Sequence, residues 1–140
     1  MAAYSDKRCV RIMFPEWDFG IDATDLTLSF RLPKNEDGTA MAGTLVKIGV
    51  MVTKTFACSS TAAKVKLGVS GGDDDAYALL NIANAAAAND CFDETDDTDA
   101  IISASIAAGT LLQMTLVSGV DGSADAGKGM PFMDFWLSNA

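Results

Sequence analysis

Residues 45–72, LVKIGVMVTKTFACSSTAAKVKLGVSGG, decide the fold class. Val46, Ile48, Val50 and Val52 alternate with Lys47, Gly49, Met51 and Thr53, and Val65, Leu67 and Val69 alternate with Lys64, Lys66 and Gly68. A two-residue period belongs to a strand with one buried face, and here it occurs twice. Residues 57–63 between the runs are small and polar without a helical apolar stripe, so the stretch reads as an antiparallel hairpin closed by a surface loop. Branched apolar side chains on one face and lysines on the other imply a sheet packed on a core and wetted outside.

Towards the N-terminus the same signal recurs. Residues 1–7 are expected to form a mobile arm, and residues 8–14 a short strand with Val10, Ile12 and Phe14 on one face and Arg11 on the other, stopped by Pro15. Residues 16–25 read as an irregular connection with Trp17, Phe19 and Ile21 tucked down. Residues 25–32 alternate Leu26, Leu28, Phe30 and Leu32 with Thr27, Ser29 and Arg31, after which Pro33 and the polar residues 34–38 make a turn.

Towards the C-terminus, three aspartates at 73–75 precede AYALLNIANAAAAND, whose alanine content and Tyr77, Leu80, Asn84 spacing predict one short helix capped by those acids. Residues 90–99 form an acidic loop, residues 100–106 a weak strand and residues 110–117 a strand with Leu112, Met114 and Leu116 in step. Residues 119–129 read as loop. Residues 130–137 place Phe132 and Trp136 on one side and Met133, Phe135 and Leu137 on the other, so this strand is either central in a sandwich or covered by another subunit. The expectation is one all-β domain over residues 1–140: an antiparallel β-sandwich or jelly roll of about seven to eight strands with at most one short helix.

Composition limits the chemistry. The chain holds 19 acids against 10 Lys and Arg, a net charge of −9, and a pI near 4.2. That sign opposes phosphate neutralisation and argues against a nucleic-acid partner. The charge is also polarised, at +2 over residues 1–66 and −11 over residues 67–140, so the basic half of one subunit can orient against the acidic half of another. Hydrophobic residues make up 49% and mean hydropathy is +0.21, yet no apolar run approaches the roughly 20 residues of a membrane helix. Charges at Asp6, Lys7, Arg8 and Arg11 interrupt any secretory leader, so a cytoplasmic site of synthesis is expected. Cys9, Cys58 and Cys91 show no paired spacing and are read as free thiols. With 0 histidines, the usual general base and zinc ligand is missing.

Two motifs fail on context. GSADAGKG at residues 122–129 has the glycines and lysine of a phosphate loop, but Gly129 stands where a hydroxyl belongs and a strand follows instead of a helix. Asp93, Glu94, Asp96, Asp97 and Asp99 half fit a calcium loop, whose required glycine is replaced by Thr98; a solvated acidic loop is the reading. No catalytic site, cofactor or metal is expected, and paired-carboxylate hydrolysis has no positive support.

The run VTKTFACSSTAAKVKLGVSGGDDDAY, residues 52–77, resembles a pattern in small structural proteins of tailed-phage virions: a strand ending in threonines, a small-residue loop, a Val-x-Leu-Gly strand at Val65, Leu67 and Gly68, then a turn at Ser70, Gly71 and Asp73. The Ala108–Gly109–Thr110 turn, the strand LLQMTL and the closing aromatic strand are similar too, whereas residues 1–44 carry no matching motif. The resemblance implies a capsid decoration or cement protein that binds the outside of the shell, partnered by the major capsid protein and by its own copies as a dimer or trimer. By that analogy the shell contact falls on a docking arm at residues 1–19, with Arg8 and Arg11 seeking carboxylates and Phe14, Trp17 and Phe19 as anchors. The alternative is a carbohydrate- or receptor-binding sandwich of a phage tail or fibre, which would present coplanar exposed aromatics, with Trp17 and Trp136 the candidates.

Overall fold

The computed structural model describes residues 8–21, 24–58, 62–119 and 125–139. The expected mobile arm at residues 1–7 lies outside them. Among the described residues ten strands follow one another: β1 (Arg8–Met13), β2 (Trp17–Asp18), β3 (Leu26–Phe30), β4 (Met41–Ala57), β5 (Ala63–Val69), β6 (Ala78–Ile82), β7 (Cys91–Asp93), β8 (Ser105–Ile106), β9 (Leu112–Val117) and β10 (Ala126–Asn139). They form two antiparallel sheets, one ordered β1-β10-β4-β7 with β2 on β10 and β8 on β4, the other ordered β3-β9-β5-β6. The chain is an all-β sandwich.

The core lies between the sheets. Ile48, Val50 and Val52 of β4 and Met133, Phe135 and Leu137 of β10 face Val65 and Leu67 of β5, Leu80 and Ile82 of β6, and Leu112, Met114 and Leu116 of β9. Alternation along each strand delivers one apolar row to this layer. β10 is an interior strand of its sheet, between β1 and β4, as its two apolar faces allow.

The predicted hairpin over residues 45–72 is not one. β4 is flanked by β10 on one side and by β7 and β8 on the other, while β5 lies between β6 and β9 in the opposite sheet. Both edges of each strand are occupied, and the two strands lie in different sheets. Val46 also departs from expectation, standing 44% exposed. The register slips between the Asp134–Lys47 and Phe135–Leu45 pairs, so Val46 is the extra residue of a bulge. Leu45, Gly43 and Met41 before the bulge and Ile48, Val50 and Val52 after it therefore share the buried face.

The predicted helix after Asp75 is strand β6. Ala78, Leu80 and Ile82 are buried and Asn81 exposed, and the strand pairs with β5 from Ala63–Ile82 to Leu67–Ala78. Cross-strand pairing overrides alanine's helix preference. Beyond it Ala85 and Asn89 take φ of 69° and 70°, which no helix continues through. The expected strand at residues 100–106 shrinks to an Ala78–Ile101 bridge and β8, leaving Ile102 exposed. Within the expected loop at residues 119–129, Ala126–Gly129 already belong to β10.

Candidate interaction surface

On the outer face of the larger sheet, register brings four charges into a row across β1, β10, β4 and the end of β7. Arg11 pairs with Asp134, and Asp134 with Lys47. Arg11 donates from Nε to Asp134 Oδ1 at 2.7 Å and from Nη2 to Oδ2 at 2.9 Å, a two-pronged bond. Lys47 Nζ donates to Asp93 Oδ2 at 2.8 Å and lies 3.8 Å from Glu94 Oε1. The sign therefore alternates from β1 to β7. The Asp134 hydrogen bond holds Arg11 above its ordinary pKa, and the Asp93 bond does the same for Lys47.

Asp93 carries the strongest perturbation. Burial pushes its carboxyl up, but the Lys47 ammonium and the amide and hydroxyl of Thr95 outweigh it and bring the pKa down to about 2. Glu94 goes the other way, raised first by burial and then by the Asp93 charge. The residues read as a half-fitting calcium loop spend their oxygens locally: Asp96 Oδ2 accepts from Asp93 N at 3.0 Å and Asp97 Oδ2 from Asn81 N at 2.9 Å. Among the described residues, the acids whose oxygens converge are Asp73, Asp74 and Asp75 at a partly exposed turn.

Beneath the charge row lies Phe132. Its ring is fully buried although it points away from the core, because the Arg11 guanidinium covers it at 4.4 Å from the ring centre and Gly49 leaves the opposite space open. Further along the same face Trp136 is 43% exposed, in register with Cys9 and Thr44.

The five residues placed on the docking arm have different surroundings. Arg8 is exposed and donates to the Lys34 carbonyl at 3.0 Å, while Arg11 is committed to Asp134 and Phe132. Phe14 turns inward edge-on to Phe30 at 5.6 Å, Trp17 sits half-buried edge-on to Phe19 at 4.7 Å, and Phe19 is fully buried against Phe56 at 5.3 Å. The two arginines share the β1 edge; the three aromatics belong to the packing beneath it. Sequence reasoning missed Lys47, Asp93 and Asp134 as a set. One signal was present, since Asp134 interrupts an otherwise apolar strand.

The two tryptophans do not form a platform. Trp17 pairs with Gly129 and Cys9 with Trp136, which sets the two indoles seven residues apart along β10, roughly 23 Å. A pocket of about 240 Å³ where residues 83–87 after β6 approach β4 and β7 is lined by Val52, Ala86, Phe92, Cys91, Asp90 and Asp96 among others.

No protein-family model matches the chain, and no curated protein matches it. Among solved structures it is similar to a chain of the acidic stable capsid structure of Helicobacter pylori bacteriophage KHP30, with 12% identity, coverage of 94% of this chain and 93% of that one, and a TM-score of 0.38.

Proposed function

We propose that this chain is a non-enzymatic structural protein of a phage virion, a decoration or cement protein seated on the capsid exterior and partnered by the major capsid protein. One observation carries the reading: of the segments that resemble small virion proteins, the Val-x-Leu-Gly strand, the turn after it and the LLQMTL strand come together in one sheet. Val65, Leu67 and Gly68 lie in β5, which pairs with β6 on one side and β9 on the other. The Ser-Gly-Asp segment closes β5 by a bond from Val69 N to Asp73 O at 2.9 Å, with Gly71 at a φ of 77°. Gly68 is required there, because a Cβ would fall 2.1 Å from Asp73 O.

The mechanism is adhesive. A rigid sandwich spread over neighbouring shell subunits buries surface that must be re-exposed before they separate, so bound copies stabilise the shell by mass action. An acidic exterior favours the outside of the shell over contact with packaged DNA. Tail or fibre sugar binding gains less support, because its two candidate indoles stand at opposite ends of β10.

The test is the copy number of this chain in purified particles, relative to the major capsid protein, by quantitative mass spectrometry. A ratio near that of the shell subunit is expected. A handful of copies would move the protein to the tail, and its absence from particles would overturn the proposal.

A further inference from the structure

The two flanks of the sandwich differ in both closure and charge. On one flank the connection from β7 to β8 crosses between the sheets: Leu79 N donates to Ala100 O at 2.8 Å and Ile102 N to Tyr77 O at 2.9 Å. That connection covers β6, and the segment from Asp90 through β7 into it carries Asp90, Asp93, Glu94, Asp96, Asp97 and Asp99 without one Lys or Arg between them. Lys47 is the cation paired with them among the described residues. On the other flank β1 and β3 each end their sheet, joined by the Phe14–Phe30 contact, and neither has a strand on its outer side among the described residues.

That open flank has a basic corner. Arg8 reaches the Lys34 carbonyl at 3.0 Å and Met41 Sδ at 3.6 Å, and Arg31 and Lys34 line one small hollow with Met41. Arg8, Arg31 and Lys34 are exposed, and none lies within ion-pair distance of a carboxylate among the described residues. Glu36 and Asp37 occupy the adjoining turn, where the Asp37 carboxylate is turned onto Thr39 N at 2.9 Å. Cations without counter-ions beside free strand edges, and acids in excess on the opposite flank, are complementary surfaces on one molecule.

We propose that copies of this chain associate head to tail, the Arg8, Arg31 and Lys34 corner of one copy meeting the Asp90 to Asp99 segment of the next. A contact between two different surfaces of the same chain generates a ring where the rotation closes and an open chain where it does not. It is steered by charge and weakened by salt. The inference is separate from the virion reading, which is tested by copy number in particles and not by self-association.

The experiment is sedimentation velocity of the full chain at about 0.02 M and about 0.5 M salt, with two charge-reversed variants: Arg8→Glu/Arg31→Glu/Lys34→Glu, and Asp90→Lys/Asp99→Lys. The wild type is expected to sediment as an oligomer at low salt and as a monomer at high salt. Each variant alone is expected to be monomeric, because the first carries acids on both flanks and the second has lost most of the negative charge its basic corner would meet. An equimolar mixture is expected to form a one-to-one dimer, since the unaltered acidic segment of the first variant complements the unaltered basic corner of the second. A wild type that stays monomeric at low salt, a variant that assembles alone, or a mixture of folded variants that stays monomeric would each overturn the proposal. Should a multiple variant lose the wild-type circular dichroism spectrum, Arg8→Glu and Asp99→Lys replace it; each is expected to dissociate at lower salt than the wild type, and an unshifted salt dependence in both would overturn the proposal.

Discussion

Gly49 and Phe132 are cross-strand partners, and the aromatic ring fills the place where a side chain on Gly49 would stand. A Cβ built there falls 2.7 Å from Phe132 Cζ and 2.8 Å from the Phe92 carbonyl oxygen. The ring can tilt but the carbonyl belongs to the β7 backbone. Gly49→Ala is therefore expected to cost about 2 kcal/mol by overpacking. The urea midpoint measures it; an unchanged midpoint would mean that β7 is free to shift.

The Arg11 guanidinium serves both Asp134 and the Phe132 ring. Its side chain is 47% exposed, so the ion pair alone is worth at most about 1 kcal/mol. Removing it also uncovers an aromatic ring. Arg11→Ala is expected to lower stability by about 1 kcal/mol, and Arg11→Lys to recover only part, since an ammonium cannot make the two-pronged bond while lying flat on the ring. Denaturant unfolding of the three proteins in low and high salt separates the parts: the ion-pair share falls with salt and the packing share persists.

What was legible in the sequence were faces, and what was not were partners. Alternation placed Leu26, Leu28 and Phe30 of β3 and Leu112, Met114 and Leu116 of β9 against the core without any tertiary knowledge. The same alternation could not tell that β4 and β5 lie in different sheets, because a strand's period says which side is buried and nothing about the neighbour on its edge. Val46 kept the apparent period through a bulge that only the opposing strand defines. The charge row was illegible for a related reason: Arg11, Lys47, Asp93 and Asp134 are far apart along the chain and meet only through register.

Gly68 and Gly72 flank the turn that carries the virion resemblance, and their demands differ. At Gly68 a Cβ would meet backbone, 2.1 Å from Asp73 O and 2.4 Å from Asp74 C, whereas at Gly72 the nearest atom is Val69 Cβ at 3.6 Å. Gly68→Ala is expected to cost about 3 kcal/mol through displacement of the turn. Gly72→Ala is expected to be neutral, or to stabilise by up to about 1 kcal/mol by restricting the unfolded chain. Thermal melts of the pair check the contrast, and equal losses would refute it.

The three thiols should separate by reactivity. Cys9 and Cys91 are exposed and Cys58 is buried at 4% exposure. Burial and then the Asp93 charge raise the Cys91 thiol, which lowers its thiolate fraction near neutrality. Maleimide labelling followed by intact mass should show Cys9 modified first, Cys91 more slowly, and Cys58 only on unfolding. Asp93→Asn should speed labelling at Cys91 and leave Cys9 unchanged.

Asp93 and Glu94 give the fold opposed pH dependences. The folded pKa of Asp93, about 2, lies below that of a free carboxyl, so the stability it contributes is complete above about pH 4 and is lost as pH falls towards 2. Glu94 is raised, so its ionisation weakens the fold as pH climbs past the ordinary carboxyl range. Stability is expected to rise between pH 2 and 4 and then to decline modestly. Asp93→Asn should flatten the acid limb, and Glu94→Gln should flatten the decline while sparing that limb. Urea midpoints from pH 2 to 7 distinguish the outcomes. An acid limb as steep in Asp93→Asn as in the wild type would show that the Lys47–Asp93 pair is not what acid dissolves.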